Sequence, residues 1–145
     1  MPHKLTLEMV TPEKVAWSAP ADFVVLPAAE GEMGVLPGHQ SFLVQLGAGE
    51  VRVTEGKEIK RFAVSGGFAE IKQNVISLFA ETAETAEQID AERAKQALEK
   101  AKAENAKPGL DSMQMAEIEA AIRRAQVRLR VARHGKSVPP HLEDR

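Results

Sequence analysis

At 145 residues the chain has room for one domain or two small ones, and its formal net charge of −2 gives no bulk field to draw it onto nucleic acid. It has no cysteine, which excludes disulfides, thiolate catalysis and thiolate metal sites. No apolar run approaches the ~20 residues that span a bilayer, and the opening MPHKLTLEMV lacks the apolar stretch of a secretory leader, so contact with a membrane is expected only through a partner.

In chain order, the first half reads as short strands. All five phenylalanines and the single tryptophan lie before residue 82, as do eight of the ten glycines. Apolar residues alternate at Leu5–Leu7–Met9, Val15–Trp17, Phe23–Val25, Phe42–Val44–Leu46, Val51–Val53, Phe62–Val64, Phe68 and Val75–Phe79. A period of two marks half-buried strands. Turn residues interrupt them at Thr11–Pro12, Leu36–Pro37–Gly38, Gly47–Ala48–Gly49, Glu55–Gly56 and Gly66–Gly67. Closely spaced short strands argue for an antiparallel sandwich or barrel. The stretch Glu30–His39 is expected to be a long turn-rich loop between strands, either a plain connection or a polar contact surface.

The second half is rich in alanine and reads as two helices. Thr85 and Gln88 have the spacing of a capping box, and the spacing predicts a first helix from about Ala86 to Asn105 with Ala94, Leu98 and Ala101 as its apolar stripe. Lys107–Pro108–Gly109 breaks it. Asp111 or Ser112 can cap a second helix, Met113–His134, roughly 33 Å long, and Gly135 can end it. Its stripe is Ile118, Ile122, Ala125, Leu129 and Ala132. A short loop between two helices makes an antiparallel hairpin. Such a hairpin, mostly alanine and charge, buries little, so its hold on the sandwich is expected to be only a few kcal/mol. The tail Val138–Arg145 is expected to fray.

Chemistry-bearing residues are sparse. His3, His39, His134 and His141 show no ligand spacing, Ser41, Ser65 and Ser77 lack a nucleophile elbow, and Gly66–Gly67 is followed by no phosphate-loop lysine. With no catalytic set, no metal site and no resident cofactor in view, an independent enzyme is not expected. The second helix stands out instead. From Ala120 to Lys136 it carries six basic residues and no acidic one, with Arg123, Arg124, Arg128, Arg130 and Arg133 off the apolar stripe. Such a face is either solvated or suited to a phosphate or an acidic protein surface.

Four stretches together resemble the epsilon subunits of bacterial F-type ATP synthases. Gly31–Glu32–Met33–Gly34–Val35–Leu36–Pro37–Gly38–His39 is close to that family's G-E-x-G-x-x-P-G-H. Val64–Ser65–Gly66–Gly67–Phe68–Ala69–Glu70–Ile71 is similar to its V-x-G-G-F-x-E-V, Ile89–Ala94 fits I/L-D-x-x-R-A, and Arg124–Ala132 is similar to the end of its second helix. The resemblance implies an α+β chain: residues 1–84 as an antiparallel β-sandwich of about ten strands, and residues 85–145 as a regulatory helical hairpin. It implies a non-catalytic place in the rotor, bound to the gamma subunit at the cytoplasmic face of the bacterial plasma membrane. Glu32 and His39 occupy the positions nearest the c-subunit ring. When the hairpin extends along gamma it inhibits ATP hydrolysis, with Arg123, Arg124, Arg128, Arg130 and Arg133 facing an acidic loop of the beta subunit of the catalytic head, whose alpha subunit is a further partner. In some members the folded hairpin binds ATP, and Ile89, Asp90, Arg93, Arg124 and Arg128 match positions used there. Lys100 stands where the clearest ATP binders carry arginine. Lysine keeps the charge and loses the planar fork, so weak affinity at most is expected. The rival reading is a free-standing binding module with a basic helical arm.

Overall fold

The computed structural model describes residues 4–12 and 15–135. His3, His141, Lys136 and the tail from Val138 lie outside the described residues. Ten strands run in chain order: β1 (Leu5–Val10), β2 (Val15–Ala21), β3 (Phe23–Ala28), β4 (Gly31–Val35), β5 (Phe42–Leu46), β6 (Gly49–Glu55), β7 (Glu58–Val64), β8 (Gly67–Lys72), β9 (Val75–Ala80) and β10 (Ala83–Thr85). They pair in the order β10-β7-β6-β3-β5-β8-β9-β1-β2, with β4 added to β3. All pairings are antiparallel except β1 with β9.

The sheet curls into a sandwich whose interior holds one face of nearly every strand. Leu5, Leu7 and Met9 of β1, Val24 and Leu26 of β3, Val51 and Val53 of β6, Phe62 and Val64 of β7, and Ile71, Ile76 and Leu78 form one cluster. Leu5–Leu7–Met9, Val51–Val53 and Phe62–Val64 are alternating positions of the sequence, because successive side chains in a strand point to opposite faces, but in β3 and β9 the core takes Val24, Leu26, Ile76 and Leu78, the opposite parity from the expected Phe23–Val25 and Val75–Phe79. Gly67, with φ of +118°, lets β8 pass β9 closely, and a Cβ there would collide with the carbonyl oxygen of Phe79.

Two local expectations are corrected. The stretch Glu30–His39 is not one long loop: Gly31–Val35 is a strand paired with β3 from Ala28↔Gly31 to Val24↔Val35. Only Val35 of that strand is buried, so it shows no alternation of apolar residues that a sequence reading could detect. The remaining Leu36–His39 is a tight turn closed by the His39 N–H on the Leu36 carbonyl at 3.2 Å, with the Gly38 N–H donating to Asn74 Oδ1 at 2.7 Å. The first helix likewise does not start at Ala86. Residues Ala86–Gln88 form a single 3-10 turn, with the Thr85 N–H donating to Gln88 Oε1 at 2.9 Å, and the chain is extended again at Ile89. Helix α1 (Ala91–Asn105) begins after Asp90, whose carboxylate accepts the Arg93 N–H at 3.1 Å.

Helix α2 (Ser112–Gly135) is capped by Asp111, which accepts the Gln114 N–H at 2.8 Å while its own N–H donates to the Gln114 side chain at 3.0 Å. The helix packs on α1 and also lies on β6, β7, β10 and the 3-10 turn. It has two apolar faces. Ile118 and Ala125 are buried, as are Ala94 and Ala101 of α1, on which α2 packs, while Val127, Val131 and Ala132 join Ala63, Ala86 and Ile89 in a second cluster on the sandwich. Val127 and Val131 lie outside the stripe identified from the sequence, yet together with Ala132 of that stripe they dock the hairpin.

Candidate functional site

A cleft of about 1000 Å³ opens between the hairpin and the sandwich. Arg93 and Ala97 of α1, Ala121, Arg124, Ala125 and Arg128 of α2, and Ser65, Glu81, Thr82 and Glu84 of the sandwich are among its walls. Small side chains on the facing helices leave the space open, and the arginines enter from two helices. The fold therefore brings together three of the five candidate ATP residues, Arg93, Arg124 and Arg128. Ile89 is instead buried in the second core cluster, and Asp90 serves as the cap of α1. Lys100 does not line the cleft.

Arg128 already has a partner in the docked hairpin. Its Nη2 donates to Glu84 Oε2 at 3.0 Å and its Nε stands 2.8 Å from Glu84 Oε1, a side-on ion pair joining α2 to β10. Arg123, Arg124, Arg130 and Arg133 are exposed. The cationic face thus divides into one arginine held by the sandwich and four exposed ones, of which Arg124 also lines the cleft.

The ring-contact candidates sit at another end of the sandwich. Glu32 lies on β4 and His39 in the turn that follows. His39 is half-buried, its Nδ1 is 2.7 Å from the Gln40 carbonyl, and its ring stands edge-on to Phe42 at 6.5 Å. β3 pairs with β5 only at Ala28↔Leu46, so β4 and β5 splay apart and leave a groove of about 450 Å³ lined by Glu30, Glu32, Met33, Phe42 and Leu43. Glu32 forms an ion pair with Arg52 of β6. Burial opposes the charge on Arg52, but the hydrogen bonds and charges of Glu32 and Glu50 outweigh it and hold the guanidinium above its ordinary pKa.

Sequence reading missed several residues that matter here. Glu50, Arg52 and Arg61 sit on the outward positions of β6 and β7, and alternation alone assigns such positions to solvent. Helix α2 covers them instead. Leu43, Phe68 and Phe79 form an exposed apolar outer face on β5, β8 and β9, with the two phenylalanine rings stacked at 5.0 Å. Among the described residues no three His, Asp or Glu side chains stand close enough to share a metal ion, and no helix is long and apolar enough to cross a membrane.

Residues 4–86 match the family model described as ATP synthase, Delta/Epsilon chain, beta-sandwich domain, and residues 87–133 match its companion, the long alpha-helix domain. The chain belongs to the ATP synthase delta/epsilon family. It is 42% identical to the ATP synthase epsilon chain of Dehalococcoides mccartyi over 136 residues, covering 94% of this chain and 97% of that one. The epsilon chain of Syntrophobacter fumaroxidans is also 42% identical, over 132 residues, with 91% and 98% covered. Among solved structures, the cryo-EM structure of the Euglena gracilis mitochondrial ATP synthase (OSCP, F1 and c-ring) contains a chain that superposes with a TM-score of 0.77 at 31% identity, covering 92% of this chain and 84% of that one. Membership accounts for the order of the elements, the sandwich first and the helical hairpin after it.

Proposed function

We propose that this protein is a non-catalytic rotor subunit in the central stalk of a proton-translocating F-type ATP synthase. It couples proton flow to ATP synthesis and restrains ATP hydrolysis through its helices. The match of both halves to the family, in order and over residues 4–133, carries this reading. Residues 1–84 are the partner-binding sandwich and residues 85–145 the regulatory hairpin. Three surfaces support the assignment of partners. The apolar outer face of Leu43, Phe68 and Phe79 suits a tight protein partner, which we read as gamma. The polar edge of Glu32 and His39 suits the loops of the c ring. The exposed arginines Arg123, Arg124, Arg130 and Arg133, joined by Arg128 once the hairpin leaves Glu84, suit acidic surfaces of the beta and alpha subunits. As part of that complex the protein sits at the cytoplasmic face of the bacterial plasma membrane.

ATP is a regulatory ligand of the cleft, not a cofactor. Three arginines from two helices could hold its phosphates and so favour the docked hairpin. Affinity is weak, since Glu84 already engages Arg128 and Lys100 does not reach the cleft. Adding the purified chain to a synthase depleted of its epsilon subunit tests the function. Restored proton-coupled synthesis together with lowered ATP hydrolysis is the expected result, and direct capture of gamma separates it from a free-standing module. A complex indifferent to the added chain would reject it.

A further inference from the structure

The outer face of β6 and β7 carries a buried carboxylate that none of these partner surfaces uses. Glu50 is 7% exposed. Its Oε1 accepts from Arg61 Nη1 at 2.7 Å and from Arg52 Nη1 at 3.3 Å, and its Oε2 lies 3.4 Å from His134 Nδ1 on the last turn of α2. Arg52 is shared, because its other terminal nitrogen, Nη2, pairs with Glu32. The strand register sets Arg52 directly opposite Arg61, an unfavourable pair of like charges that the two carboxylates offset. Glu32, Arg52, Glu50 and His134 therefore form a continuous line of polar contacts from β4 to the end of the hairpin. Arg61 flanks it on β7, and Arg130 and Arg133 are the neighbouring cations on α2.

We propose that this line couples occupancy of Glu32 to docking of the hairpin. A cationic group of a partner that pairs with Glu32 releases Arg52 from it. Arg52 then turns wholly to Glu50, whose attraction for His134 falls, and the unneutralised guanidinium repels the basic end of α2. The docked state loses stability, so engagement at the β4 edge favours release of the hairpin. Linkage makes the effect reciprocal: release of the hairpin strengthens Glu32 as a ligand for that cation. Docked and undocked hairpin are the two states that both sites bias. The inference rests on the proposed ability of the hairpin to undock.

The chain has no cysteine, so Lys57→Cys in the sandwich and Lys107→Cys at the hairpin turn accept a dye pair whose energy transfer reads the docked fraction of the full-length protein. Glu32→Gln mimics an occupied Glu32, and at low salt it is expected to raise the undocked-to-docked ratio about threefold, as for one modest ion pair. Glu50→Gln raises the ratio as well and changes the response to Glu32→Gln away from additivity, since the route through the shared acceptor is gone and only the direct repulsion by Arg52 remains. His134→Gln in place of Glu50→Gln completes the same double-mutant cycle should the strand variant fold poorly. Val131→Asp, which places a charge in the docking cluster, supplies the undocked reference. Undocking in Val131→Asp with no response to Glu32→Gln, or with fully additive responses, overturns the coupling alone. A hairpin that stays docked in Val131→Asp overturns the switch in the proposed function and the coupling with it.

Discussion

A single methyl group at Gly67 is enough to challenge the sheet. The positive φ and the Phe79 carbonyl oxygen leave no space for a Cβ, so Gly67→Ala is expected to destabilise the sandwich by at least ~2 kcal/mol, read as a lower urea midpoint. At Glu50 the penalty is electrostatic. Its removal leaves Arg52 and Arg61 facing one another on a partly covered surface, and Glu50→Ala should cost ~1–3 kcal/mol in the same measurement. Glu32 is more exposed and its pair with Arg52 is worth little to stability. Glu32→Lys should leave the isolated subunit folded while weakening coupling between proton flow and synthesis in reconstituted vesicles; unimpaired coupling would remove this edge from the ring contact. The sequence made Gly67 and Glu32 conspicuous through their motifs. It gave no sign of Glu50, because a charged residue at an alternating position looks like any solvated strand residue until a helix is laid over it.

At the scale of the element, α2 does two jobs with different residues. Val127 and Val131 hold it on the sandwich, while Arg123, Arg124, Arg130 and Arg133 are exposed. Substitutions in the two sets should act in opposite directions. Val131→Ala loses about 1–2 kcal/mol of burial, a large share of a weak docking energy, and should deepen inhibition of ATP hydrolysis in the assembled complex by releasing the hairpin. Replacing the four exposed arginines with alanine should raise hydrolysis, and high salt should imitate this in the unmodified protein through screening. Equal hydrolysis rates in all of these would reduce the cationic face to a solvated surface. The stripe of Ile118, Ile122, Ala125, Leu129 and Ala132 was legible from its spacing, but a helix that contacts two neighbours needs two apolar faces. The second adds only two valines, Val127 and Val131, to Ala132, too few to register as a period.

For the whole molecule the decisive quantity is the balance between docked and released hairpin. ATP in the cleft should tip it toward docking by RT ln(1 + [L]/Kd), which exceeds ~1 kcal/mol only when ATP is well above Kd. Calorimetry on the isolated subunit is expected to show weak binding that disappears in Arg93→Ala and Arg124→Ala, or no binding. Micromolar affinity would mean that Glu84 and Lys100 impair the site far less than their placement indicates. Sequence by itself determined the strand-rich half, the two helices and the turn between them, because alternation, helical spacing, proline and glycine act over a few neighbouring residues. It also determined the family, through motifs each confined to one short segment. Only the tertiary structure decided that Gly31–Val35 pairs as a strand, that Arg128 is held by Glu84, that Arg93 and Arg124 share one cleft, and that Glu50 joins β4 to the end of α2. Each of these relations pairs residues brought together by the curl of the sheet or the return of the hairpin, and no local pattern encodes which distant charges will meet.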